Sequence, residues 1–276
     1  MIASLTRALR SPWVVVEVFI FGNLAFLSAD VYIAHSSNAF EQKAEWIPVF
    51  FSLAAPALLL GVAALSNASP RAARALAMFV GWTSLGVGIA GMLFHLQSHF
   101  FDEQTIHNLV YTAPFVAPLA YAGLGLLLIL DRMVDSDSIE WAQWIVFLAL
   151  GGFVGNFILS LADHAQNGFF NRMEWIPVAS SAMAIGFLLV VVLQPANTRL
   201  CNIAWWILAL QIAVGVAGFV FHLRANMQQG SSRLWDRFVY GAPIFAPLLF
   251  ANLAILAAIG IWALQRACHP EHEFVS

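Results

Sequence analysis

Gly22-Asn-Leu-Ala-Phe-Leu-Ser-Ala-Asp30, His35-Ser-Ser-Asn38-Ala-Phe40 and Glu45-Trp-Ile-Pro-Val49 are written a second time in this chain, as Gly155-Asn-Phe-Ile-Leu-Ser-Leu-Ala-Asp163, His164-Ala-Gln-Asn167-Gly-Phe169 and Glu174-Trp-Ile-Pro-Val178. Downstream, GIAGMLFHL (Gly88 to Leu96) returns as GVAGFVFHL (Gly215 to Leu223), and VYTAPFVAPL (Val110 to Leu119) as VYGAPIFAPL (Val239 to Leu248). The duplication divides the chain into repeats at 1–134 and 135–276, with the polar stretch Asp131 to Glu140 as the linker between them.

Of the 276 residues, 61% are hydrophobic and only 10% charged, and the mean hydropathy is +0.80. So few charges cannot cover a water-soluble surface of that size, and the composition is that of an integral membrane protein. Apolar runs of about 20 residues, the length that crosses a bilayer, fall near 13–34, 46–65, 75–97, 109–131, 141–163, 175–194, 202–223 and 238–264. The expected fold is all-α, with about eight transmembrane helices as two tandem four-helix repeats in parallel orientation. The first run has a basic flank (Arg7, Arg10) and a signal-peptide-like end near Ser28-Ala29, but its copy at 141–163 is internal, so both read as retained spans.

Basic residues orient the chain. Arg7, Arg10, Arg71, Arg74, Arg132, Arg199 and Arg266 fall on the side of the N-terminus, and Lys43, Arg172, Arg224, Arg233 and Arg237 on the other. This bias places both termini in the cytoplasm, in what reads as a bacterial inner (plasma) membrane. The net charge of −3 with scattered basic residues leaves no footprint for nucleic acid. Two cysteines, Cys201 and Cys268, imply neither a disulfide framework nor a thiolate metal site. The His-Pro-Glu-His segment near the C-terminus is unrepeated and reads as a frayed tail. Trp13, Trp46, Trp141, Trp175, Trp205 and Trp235, near span ends, read as interfacial anchors.

On this topology the duplicated polar residues gather at the outer face. Asp30 and His35 end the first helix, Glu45 starts the second and His95 ends the third; Asp163, His164, Glu174 and His222 hold the matching places. Residues from several helices of a bundle at one depth can build a metal site. Val31 to Ala34 are additional in the first half; a four-residue helical insertion preserves the facing of His35 and moves it outward by about one turn. Carboxylates in a bilayer must be hydrated, protonated or paired. Two imidazoles with carboxylates suit a transition metal ion, Zn, Fe, Mn or Cu. His107, Tyr111, Asp236 and Tyr240 are possible additional members.

Ordinary structural roles compete at each position. Glu45 and Glu174 open E-W-I-P, which is also a common helix start. His95 and His222 could cap the last carbonyls of their helices. Asn23 and Asn156 read as interhelical hydrogen-bonding groups. The A-P-x-x-A-P patterns at Pro114, Pro118, Pro243 and Pro247 predict bent helices. The expected function is a membrane metal-binding protein, an oxidoreductase or hydrolase with a periplasmic-face site. The alternatives are a haem-binding electron-transfer protein, a cation or proton transporter, and a non-catalytic subunit bound to other membrane subunits. Against the transporter, the inner halves of the spans carry little beyond Glu17, expected to snorkel to the interface.

Overall fold

The computed structural model describes residues 11–268. Arg7, Arg10 and the segment His269 to His272 lie outside the described residues. The helices are α1 (Pro12–Ser36), α2 (Trp46–Leu65), α3 (Pro70–Leu96), α4 (Ile106–Tyr111), α5 (Leu119–Met133), α6 (Ile139–Gln166), α7 (Trp175–Leu193), α8 (Thr198–Met227), α9 (Leu234–Val239) and α10 (Leu248–Cys268). Single 3-10 turns, Lys43–Glu45 and Arg172–Glu174, lead into α2 and α7. Seven helical stretches among the described residues are long and apolar enough to cross a membrane. The protein is all-α, and its environment is a lipid bilayer.

The exception among the expected spans is α5. Its 15 residues reach about 22 Å, short of the roughly 30 Å hydrocarbon core. Prolines explain the loss. Pro118 lacks the N–H that the Pro114 carbonyl would take in a continuous helix, and Pro247 withholds it from Pro243. The chain runs instead through i to i+3 turns, with Ala117 N to Pro114 O at 3.0 Å, Leu119 N to Val116 O at 3.0 Å, Ala246 N to Pro243 O at 3.3 Å and Leu248 N to Phe245 O at 3.0 Å. These segments are breaks, where bends within continuous helices were expected.

Two further expectations change. The polar stretch Asp131 to Glu140 is not all linker, because α5 runs to Met133 and α6 starts at Ile139, with Asp131 buried in the bundle. Trp141 is fully buried and so is no interfacial anchor. Glu17 pairs with Arg132.

Helices α1, α2, α3 and α5 pack in sequence, as do α6, α7, α8 and α10. The halves join where α1 meets α10 and α5 meets α6; α4 also rests on α6, and α9 on α1. The centre holds Leu127, Leu128, Trp141, Phe153, Ile261 and Leu264, all fully buried. Lipid tails are as apolar as leucine, so helices associate through close packing of small residues. A Cβ added to Gly88 of α3 would stand 2.9 Å from the Pro118 carbonyl oxygen, and one on Gly215 of α8 would stand 2.9 Å from that of Pro247. Phe50, Leu53, Leu60, Phe79 and Trp206 point outward, as a lipid-facing surface requires.

Candidate functional site

Each site begins with a strained turn. Helix α1 continues through the insertion Val31 to Ala34, so His35 remains helical. The chain then turns left-handed at Ala39 (φ 57°) and Phe40 (φ 54°), as it does at Gly168 (φ 67°) and Phe169 (φ 50°). The Phe40 N–H reaches back to the His35 carbonyl at 3.2 Å, and the Phe169 N–H to His164 at 3.0 Å, closing a Schellman-type end. Phenylalanine in this conformation is costly and persists where its surroundings fix it. Here the Phe40 ring stacks on Trp46 at 4.1 Å and Phe169 on Trp175 at 4.0 Å, while each phenylalanine also lies about one ring width from its histidine, at 6.0 Å and 6.1 Å. The stacked pair thus flanks the imidazole. At the first turn position Ala39 carries strain that Gly168 avoids, so Gly168→Ala is expected to lose about 1 kcal/mol, read from thermal unfolding in detergent.

In each half two histidines and a glutamate are neighbours. His35 and His95 have ring centroids 6.1 Å apart in an edge-on arrangement, and Glu45 lies within electrostatic range of His95. In the second half His164 Nδ1 is 3.7 Å from Glu174 Oε2, and His222 lies within range of His164. Glu45 divides its carboxylate between two tasks. Its Oε1 accepts from Asn38 Nδ2 at 2.9 Å and from the Gln42 backbone N–H at 3.4 Å, which is the helix-start role. Its Oε2 is buried without a hydrogen-bond partner, as is Oε2 of Glu174. A buried acceptor left unpaired costs about 1–3 kcal/mol, which makes the same orphan in both halves informative. Among the described residues no three His, Cys, Asp or Glu side chains already meet around one metal-sized point; the donors are neighbours, not a closed shell.

The proline breaks orient the histidines. His95 Nδ1 lies 2.9 Å from the Pro114 carbonyl oxygen, and His222 Nδ1 lies 2.8 Å from that of Pro243. A carbonyl oxygen only accepts, so Nδ1 carries a proton, and in the neutral ring the lone pair is then on Nε2. His35 Nδ1 is held likewise, 3.1 Å from the Val31 carbonyl. An imidazole whose far nitrogen is tied to a backbone carbonyl is the usual arrangement of a metal-ligating histidine.

Different residues secure that geometry in the two halves. Ser98 and Thr112 hydroxyls donate to the His95 carbonyl at 2.8 Å and 2.7 Å, and the Ala113 N–H donates to Ser98 Oγ at 2.8 Å. In the second half one fully buried side chain does the work: Asn226 donates to the Ala242 carbonyl at 2.9 Å and accepts from the Ala242 N–H at 2.7 Å. Sequence comparison of the halves misses these residues because the contacts repeat while the residue types do not. Asn226→Ala leaves two backbone groups unpaired and is expected to cost about 2–3 kcal/mol, measured by denaturation in detergent.

Compared with known protein families, characterised proteins and solved structures, this chain matches none. Its chemistry is therefore argued from its own residues.

Asp30 is about 140° round α1 from His35, and Asp163 about 100° round α6 from His164, so neither shares its histidine's direction. Asp30 lies within electrostatic range of Tyr121, whose hydroxyl sits 2.5 Å from Ser52 Oγ in a buried pair. Asp163 lines a small crevice with Pro114, Phe115 and Gln166. His107 is exposed and stacks on Tyr111 at 4.6 Å. Asp236, in α9, accepts from Ser231 Oγ of the preceding loop at 3.2 Å, and Tyr240 is exposed. Asn23 makes the expected interhelical bond, accepting from Asn252 Nδ2 at 2.6 Å, whereas Asn156 Nδ2 is buried without a partner.

Proposed function

We propose that the protein is an integral membrane metal-binding protein with one site in each half, His35, Glu45 and His95 in the first and His164, Glu174 and His222 in the second. The observation that carries this is that each half repeats an imidazole tied through Nδ1 to a proline carbonyl and, in the same neighbourhood, a buried glutamate oxygen that makes no hydrogen bond. Two neutral imidazoles and a carboxylate suit Zn, Fe, Mn or Cu and leave coordination positions open. A bound ion would occupy the unpaired Glu45 and Glu174 oxygens and compensate their negative charge.

Such an ion supplies Lewis acidity or, for Fe, Mn or Cu, electron transfer. The protein's own contribution is orientation and exclusion. Proline carbonyls hold the tautomer, Asn38 and the Gln42 N–H hold the Glu45 carboxylate, and the Phe–Trp stacks keep bulk water off one side. The position at the bundle end, open toward the lipid boundary, fits an oxidoreductase or hydrolase acting on a lipid-soluble substrate. The topology that fits this function is two tandem four-helix repeats in parallel, about eight spans, with α5 completed by its proline-broken approach. The site then faces the periplasm of a bacterial inner membrane, both termini are cytoplasmic, and other membrane subunits can flank the bundle.

Elemental analysis of the purified protein, with its optical spectrum, tests this. Two transition metal ions per chain are expected. A metal-free, folded protein that does not take up these ions, or a Soret band accounting for all bound iron, would overturn it.

A further inference from the structure

Polar side chains also meet at the end of α1 away from the histidines. Glu17 and His35 share that helix but lie about 27 Å apart along it. Arg132 of α5 pairs with Glu17 and places its NH1 group 3.5 Å from Asp131 Oδ2. The Asp131 side chain has no exposed surface, and its carboxyl lies within hydrogen-bonding reach of that of Glu17. Its Oδ1 has no hydrogen-bond partner. Trp141 of α6, fully buried, directs an equally unpartnered Nε1–H toward the same carboxyl.

Two carboxylates and one guanidinium leave one negative charge in a buried place. Among the described residues, Arg132 is the cation that the structure pairs with these carboxylates. On α1, Trp13 offers only its ring, 5.7 Å from the Arg132 guanidinium carbon. Arg71 and Arg74 of α3, and Glu140 of α6, are exposed. Asp135, in the turn after α5, is exposed and accepts from the Asp137 N–H. On α10, Arg266 lies over the Trp262 ring. A divalent cation seeks about six or more oxygens, whereas this cluster offers two carboxylates beside a fixed guanidinium. Two carboxyl groups at hydrogen-bonding distance are satisfied by one proton, the O–H of one acid donating to the carboxylate of the other.

We propose that Glu17 and Asp131 bind a single proton between them, forming a one-proton site on the face opposite the histidines, with Arg132 as counter-ion and the Trp141 N–H as an additional donor. The site joins α1 and α5 of the first half to α6 of the second. Protonated, it is neutral and holds that junction together; deprotonated, it leaves an uncompensated carboxylate there. By linkage, a folded chain that holds one proton more than the unfolded chain loses stability as pH rises, up to tenfold in the folding constant per pH unit while that proton leaves. The proposal is independent of metal binding.

Infrared spectroscopy of the purified full chain at neutral pH tests it. The wild-type minus Asp131→Asn difference spectrum is expected to show a carboxylic-acid carbonyl band, because removing one acid lets the remaining carboxylate ionise against Arg132. Glu17→Gln should abolish the same band. Retained helical circular dichroism verifies that each variant folds, and Asp131→Asn should flatten the alkaline fall in stability. A flat difference spectrum for both variants overturns the proposal. So does a band that vanishes when sodium replaces choline in the buffer, which would put a cation where the proton is assigned.

Discussion

His95→Ala is expected to halve the metal content of the purified protein, from two ions per chain to one, and His222→Ala to do the same at the other site. The double variant should bind none. The two clusters draw on different helices, α1 to α3 and α6 to α8, so their losses should add. A sharper version leaves every ligand in place. Pro118→Ala restores the backbone N–H that the Pro114 carbonyl lacks, and a helical bond there would compete with His95 Nδ1. Loss of a hydrogen bond that orients a ligating histidine lowers metal affinity about 10- to 100-fold. Titration of the apo-protein with the metal found in the wild type checks this. Unchanged affinity at the first site in both His95→Ala and Pro118→Ala would remove the histidines from the coordination shell.

Gly88→Val and Gly215→Val are expected to be strongly destabilising. A Cβ on Gly88 would stand 2.9 Å from both the Pro118 carbonyl oxygen and Ala122 Cβ; on Gly215 it would stand 2.9 Å from the Pro247 carbonyl oxygen and 3.0 Å from the Ala251 nitrogen. These neighbours are mainly backbone and cannot rotate away, so α3 and α5, or α8 and α10, must separate. Overpacking commonly costs 1–3 kcal/mol, and a backbone-limited contact should reach about 3 kcal/mol or more. The same separation pulls the Pro114 or Pro243 carbonyl from its histidine, so metal binding should fall with stability. Gly22 and Gly86 are controls, since a Cβ at either meets nothing within 4 Å. Alanine there should leave stability unchanged or raise it by up to about 1 kcal/mol, the helix-propensity gain. Unfolding in detergent separates the two classes; equal tolerance at all four glycines would refute the close-packing account.

Much of this was legible in the chain. Apolar runs located the helices because a bilayer leaves backbone groups no partner but one another, so span length and hydropathy nearly determine secondary structure. Duplication singled out His35, Glu45, His95 and their counterparts, because a polar group retained twice in so apolar a chain marks a position where it is needed. It also singled out Asp30 and Asp163, and there periodicity failed. Sharing a helix end with a histidine is not sharing its direction, and an offset of one or five residues along a helix points the side chain elsewhere.

Composition and pattern determined that this protein is a bundle of membrane helices and that its repeated imidazoles and acids lie near helix ends. Only the tertiary structure decided how they group: two separate clusters, with His95 and His222 each fixed by a carbonyl that a proline has freed, and Glu17 paired with Arg132 beside Asp131. Those pairings join residues far apart in the chain, such as His222 and Pro243 or Glu17 and Arg132. Local pattern carries no information about them, because which faces meet is set by where small residues allow two helices to approach.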